Sequence, residues 1–246
     1  FEKYERIKEN DTSNFVTSCF YQEKAFQYHQ HCVDIAQDDN YFITSTTINL
    51  GRIQSDTLKG KYSIMYDANK THFKTLQAYN YSGKTMPTYA QFRAQTFLAI
   101  TGDAKGVMYW VYNNCNGSNQ TIKEAYPTMW SQLSDMNDEI NQVRNIIQEK
   151  TVQINKKGDI CYILKENDAA TRQWLIIVNA SSSSASLSIK MGSTSKTIVS
   201  VIPSSGSFSY DSGTRVLSDS LSGYDVKVYE IQASSPTYGG EGGVWF

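Results

Sequence analysis

Apolar side chains follow two different rhythms along the chain. In the first 150 residues, β-branched and aromatic runs alternate with stretches of three- and four-residue spacing. Asn14–Phe20, Tyr41–Ile48, Phe73–Tyr79 and the continuous apolar run Val107–Tyr112 predict strands. Glu23–Gln37 carries Ala25, Tyr28, Cys32 and Ile35 at helical spacing and predicts an amphipathic helix. Thr88–Ile100 follows Pro87 and precedes Gly102, the punctuation of a second helix. The longest seam is Met129, Leu133, Met136, Ile140, Val143 and Ile147, which stays on one face of a helix over Pro127–Lys150. Tyr62–Tyr66 fits neither rhythm.

From Thr151 to Gln232 the period shortens. DICYILKE, RQWLIIVNA, SASLSIKM, KTIVSVI, GSFSYD and YDVKVYEI are short alternating runs separated by Asn, Asp, Gly and Ser. This pattern predicts an antiparallel β-sandwich. Residues 181–222 contain 17 serines, which suit exposed strand faces and loops. The last stretch, 233–246, reads as a Gly-rich tail ending in Trp245 and Phe246.

Charge removes one class of function. Lys plus Arg is 23 and Asp plus Glu is 24, a net charge of -1, which offers no general attraction for nucleic acid. No apolar run approaches the roughly 20 residues of a bilayer span, so no membrane span is expected. The three histidines and four cysteines lack CxxC or HExxH spacing, and no Gly-rich phosphate loop is present, so neither a metal nor a cofactor is implied.

The sequons and cysteines suggest a compartment. Asn10, Asn69, Asn80, Asn116, Asn119 and Asn179 each head an Asn-x-Ser/Thr sequon. Six is about double what random placement of 16 Asn and 48 Ser plus Thr gives, which points to a glycosylated, secreted or extracellular-surface chain. Cys19, Cys32, Cys115 and Cys161 are even in number and fit up to two disulfides, with all three pairings open. The chain starts at Phe1, so a removed segment or a longer parent is expected.

The order LQAY, Pro-Thr, FRAQTFLAITG, DAKGVMYWVYNN and then the helix with Trp130 resembles the end of a clan A glycoside hydrolase (β/α)8 barrel. The module ending in SGYDVKVYEI is similar to the β-sandwich that closes such enzymes. The resemblance implies α/β plus all-β: residues 1–150 as the C-terminal part of a TIM barrel, 151–232 as the sandwich and 233–246 as the tail. A full barrel takes about 250 residues, so an upstream segment or a partner chain is expected to complete it.

The resemblance also implies the chemistry. Retaining hydrolysis uses two carboxylates about 5 Å apart, and in that family the nucleophile is a Glu ending the seventh strand. Here Gln77 holds that position, and no carboxylate occurs from Lys70 to Gly102. The family's acid/base has one counterpart, Glu23 after Gln22. The competing role of Glu23, and the one favoured over catalysis, is that of an acidic residue in a first helical turn. Trp110 and Tyr112, with Tyr79 beside them, are the expected carbohydrate contacts, because sugar C–H faces stack on aromatic planes. Trp110 filling a barrel core is the competing role. The expectation is an inactive, glycoside-hydrolase-like surface component, structural or carbohydrate-binding, with a homo-polymer among its possible assemblies. The alternative is an active secreted hydrolase with its acid/base at Glu23 or upstream.

Overall fold

A computed structural model describes residues 2–20, 32–64, 71–191, 196–203 and 207–233. Four short strands, β1 (Thr17–Phe20), β2 (Ile35–Asp38), β3 (Thr71–Gln77) and β4 (Gly106–Trp110), form a sheet in chain order. All three pairings are parallel. Helices Gly51–Ile64, Tyr89–Thr101 and Pro127–Gln148 follow β2, β3 and β4 in turn. This βα alternation is the one the first 150 residues predicted.

Two of the predicted helices keep their places. Thr88 caps the Tyr89–Thr101 helix in a reciprocal capping box with Gln91, and Gly102 ends it. Pro127 starts the long helix, whose buried residues include Met129, Met136, Val143 and Ile147 from the predicted seam.

Three local expectations are corrected. Ile35–Gln37, placed at the end of a helix over Glu23–Gln37, belongs to strand β2; residues 23–31 of that predicted helix, with Glu23, lie outside the described residues. Tyr41–Ile48 is a folded-back loop rather than a strand. Thr44 Oγ1 accepts hydrogen bonds from the amides of Thr46 (3.3 Å) and Thr47 (2.8 Å), which reverses the chain and brings Ile43 opposite Ile48. The Gly51–Ile64 helix was not predicted, because small and polar residues dominate its buried side: Gly51, Gln54, Thr57 and Gly60 beside Ile53. Gly60 is required there, since a Cβ would lie 2.8 Å from His72 Nε2 on β3.

After Lys150 the chain is antiparallel. A five-stranded sheet runs in the order β5 (Lys150–Lys157), β6 (Ile160–Glu166), β7 (Arg172–Asn179), β12 (Val226–Ala233) and β9 (Lys196–Ile202). A three-stranded sheet holds β10 (Phe208–Asp211), β11 (Val216–Leu221) and β8 (Ala185–Lys190). Strands β5 and β11 are additions to the six predicted runs. Alternation divides β7 between two cores. Leu175 and Ile177 pack with Leu187, Leu217 and Leu221 of the smaller sheet. Trp174, Ile176 and Val178 pack instead with Ala94, Phe97 and Leu98 of the Tyr89–Thr101 helix.

The expected disulfides are absent: all four cysteines are free thiols. Cys115 belongs to the core beneath the long helix and Cys161 to the core shared with the five-stranded sheet. Cys19 lies 3.8 Å from Thr75 Oγ1 on the parallel sheet. Burial raises the Cys161 thiol to about 11.

A buried ion cluster ties the two halves together. Asp103, at φ 67° just after the Tyr89–Thr101 helix, receives Lys61, Lys105 and Lys165. Lys165 comes from β6 and is fully buried, which lowers its ammonium to about 8. Burial alone would raise the Asp103 carboxyl, but Lys165 and the other two lysines outweigh it and hold it well below the usual carboxylate range. A carboxyl depressed on folding adds stability above its unfolded value of about 3.9, and this is lost as pH falls toward the folded value. Urea midpoints measured from neutral pH into acid are therefore expected to fall steeply for the native chain. Asp103→Asn, which tolerates positive φ, should be destabilised by about 3 kcal/mol at neutral pH and show a flatter acid slope.

Candidate functional site

The C-terminal ends of parallel strands are where α/β folds place ligands. Here β2, β3 and β4 end at Asp38, Gln77 and Trp110. The Ala78 amide donates to the Trp110 carbonyl (2.6 Å) and the Asn80 amide to the Cys115 carbonyl (2.9 Å), so the chains leaving β3 and β4 are joined.

Gln77 is 1% exposed, and its amide is committed to the backbone. Its Nε2 donates to the carbonyls of Thr85 (2.8 Å), Ile43 (2.9 Å) and Tyr79 (3.3 Å), while its Oε1 accepts from the Ile43 amide (3.2 Å). Gln95, from the following helix, grips the backbone of Gln77 itself: Nε2 donates to its carbonyl (2.8 Å) and Oε1 accepts from its amide (3.3 Å). The residue at the expected nucleophile position thus ties together the 43 and 85 loops.

Trp110 is 51% exposed, so it does not fill a core. Its Nε1 donates to Tyr81 Oη at 3.1 Å. Tyr81 lies 4.5 Å from Tyr79, ring centre to ring centre, and Tyr79 meets Tyr41 edge-on at 5.2 Å. The four rings form one connected row. Tyr79 is only 6% exposed, so it supports the row from within and does not offer the face expected for sugar contact. Tyr112 is half-exposed and packs at 5.6 Å against Trp130, itself partly open. Burial pushes the Tyr41 phenol well above its usual value, so that ring stays neutral.

The site also contains residues the sequence reading passed over. Asp39 follows the last residue of β2, and Tyr41 and Tyr81 lie on the loops after β2 and β3. The Asp38-Asp39 pair was the available signal, but a helix predicted to end at Gln37 hid its place at a strand tip. Asp38 itself turns to the helix side, within 2.9 Å of His72 Nε2 and paired with Lys74. Burial would raise its carboxyl, but the His72 hydrogen bond and the Lys74 charge outweigh this and lower it. No group of three His, Cys, Asp or Glu suited to a metal occurs among the described residues.

The sequons fall in different settings. Asn10, Asn80 and Asn119 are exposed and Asn116 is half-buried, while Asn69 lies outside the described residues. Asn179 is fully buried, and its Nδ2 donates to the carbonyls of Ser183 (2.7 Å) and Ser222 (2.9 Å). The folded chain therefore closes Asn179 to a glycan, because the nitrogen that would carry the sugar is enclosed.

No family model and no curated protein sequence matches the chain. Solved structures do share its fold. A putative alpha-galactosidase from Bacteroides fragilis superposes with a TM-score of 0.60 at 11% identity, over 95% of this chain and 51% of that one. The Geobacillus thermoleovorans alpha-amylase, solved with acarbose, gives 0.59 at 10% identity, over 95% and 57%. Eubacterium rectale Amy13B gives 0.58 at 10% identity, over 93% and 54%. The glycoside-hydrolase-like fold suggested by the sequence is borne out, and the chain spans about half the length of these structures.

The Gln77 arrangement makes a direct prediction. Gln77→Glu would aim a carboxylate at three carbonyl oxygens and lose the donor they need. It should destabilise the chain by about 3 kcal/mol at neutral pH and by less in acid, where the new carboxyl is protonated. Urea denaturation at both pH values checks the sign.

Proposed function

We propose that this chain is a carbohydrate-binding, glycoside-hydrolase-like component that does not itself perform double-displacement hydrolysis. The half-exposed Trp110 indole, held by Tyr81 at the strand tips, carries this reading. An exposed flat ring fixed by a hydrogen bond offers a ready stacking surface for the C–H face of a sugar. Gln77 supports the inactive part, since a neutral amide bound to three carbonyls cannot form a glycosyl ester. The acarbose bound by the Geobacillus enzyme supports the ligand class.

In this reading the parallel sheet is the C-terminal half of a (β/α)8 barrel, followed by a β-sandwich. The inward side chains Thr17 and Cys19 on β1, and Met108 and Trp110 on β4, are exposed. Neither strand has a second neighbour among the described residues. Four further parallel strands, from an upstream segment or a partner chain, would pair both edges and cover that face. Exposed Asn10, Asn80 and Asn119 suit a secreted or surface location.

Calorimetric titration with maltohexaose, cellohexaose and mannohexaose tests the reading. Binding of at least one is expected. Trp110→Ala should weaken it by about tenfold or more with the circular dichroism spectrum unchanged, and no aryl glycoside should be cleaved. Failure of all three sugars to bind, or hydrolysis by the purified chain, would overturn it.

A further inference from the structure

A second pair of open rings lies beyond Trp110. Tyr112 is 50% exposed and Trp130 39%, and their ring centres lie 5.6 Å apart with the planes tilted by 57°. Both rings are fixed from below. The Tyr112 carbonyl accepts from the Ile122 amide (2.8 Å), and Ile122 and Met129, the residue before Trp130, are buried in one core with Cys115. The pair adjoins the Trp110 indole. Trp110 and Tyr112 are two residues apart, which keeps their Cα atoms within about 7 Å of each other. Tyr81, which holds the indole, also meets the loop that follows Tyr112: a Cβ on Gly117 would lie 3.6 Å from Tyr81 Cβ, and the Asn80 amide donates to the Cys115 carbonyl at 2.9 Å.

We propose that Tyr112 and Trp130 form a second stacking subsite, next to Trp110, for a neutral oligosaccharide longer than a disaccharide. The proposal deepens the carbohydrate reading and rests on it. The negative face of an aromatic ring attracts C–H groups, and the polar groups around it decide which ligand can supply them. Residues 113–121, between Tyr112 and the helix that carries Trp130, hold no charged side chain. Asn113, Asn114, Ser118, Asn119 and Gln120 are exposed there. Amides and hydroxyls both donate and accept, as sugar hydroxyls do. Open rings bordered by them match a ligand with C–H faces, hydroxyl edges and no charge. A second platform beside the first adds contact only for a sugar chain long enough to reach both, and the two linked contacts then reinforce each other. Trp130 stands in the first turn of the Pro127–Gln148 helix, on a different element from Trp110, so it is the residue that reads chain length.

The test is calorimetric titration of the whole chain with whichever of the three hexasaccharides binds most tightly, and with the disaccharide of the same linkage. Wild type should bind the hexasaccharide about tenfold or more tightly than the disaccharide. Trp130→Ala should lower hexasaccharide affinity by about tenfold, with the circular dichroism spectrum and the disaccharide affinity unchanged. Trp110→Ala should weaken both sugars. Trp130→Phe, which keeps a ring face, should retain most of the hexasaccharide affinity. Tyr112→Ala should repeat the loss, and it decides the matter should Trp130→Ala fail to fold. Equal wild-type affinity for the two sugars, or a Trp130→Ala chain that binds the hexasaccharide like wild type, would overturn the proposal. Loss of binding in Trp110→Ala with indifference to Trp130 would remove the second subsite and leave the carbohydrate reading intact. No binding of any hexasaccharide removes both.

Discussion

The Tyr89–Thr101 helix is buried on both sides, and the rest of the architecture depends on that double burial. Ala94, Phe97 and Leu98 share one core with Leu76 of the parallel sheet and with Ile163, Trp174 and Ile176 of the five-stranded sheet. Every residue from Gln91 to Thr101 except Arg93 is buried, so the antiparallel region is required to cover the face that the parallel sheet leaves open. The polar links run the same way. Gln54 Nε2 donates to the carbonyls of Thr101, Asn155 and Tyr162, joining two helices to the antiparallel sheet. Arg93 holds Glu139 and the Val226 carbonyl from the opposite end. The strand tips carrying Gln77 and Trp110 are fixed because Gln95 of this same helix binds both backbone groups of Gln77.

How much of this was legible depended on whether apolar residues did the packing. The Pro127–Gln148 helix and strand β7 bury long aliphatic side chains at regular spacing, and both were readable from the pattern. The Gly51–Ile64 helix buries Thr57, Gly60 and Gln54, whose fit depends on close approach and hydrogen bonds rather than on apolar area. The 41–48 run has strand composition, but Thr44 captures two amides of its own loop and competes successfully with sheet pairing. Strand β2 has only four residues, too few to display a period against a helical background. Misplacing it hid the strand tip at Asp38, so the site was half read: Trp110 was found, and the loop residues Tyr41 and Tyr81 were not.

The chemistry at position 77 follows from what the loops need. Ile43 presents both its N–H and its C=O to one side chain, at 3.2 and 2.9 Å. Only a group with a donor and an acceptor on adjacent atoms can answer both, and an amide does so without charge. A carboxylate could accept from the Ile43 amide but would repel the Ile43, Thr85 and Tyr79 carbonyls. Those loops carry Tyr41, two residues before Ile43, and Tyr81, which holds the Trp110 indole. The aromatic row and an ionised group at position 77 are therefore competing uses of the same strand tip. The amide orders the platform, and a charged side chain at the same position would pull its loops apart.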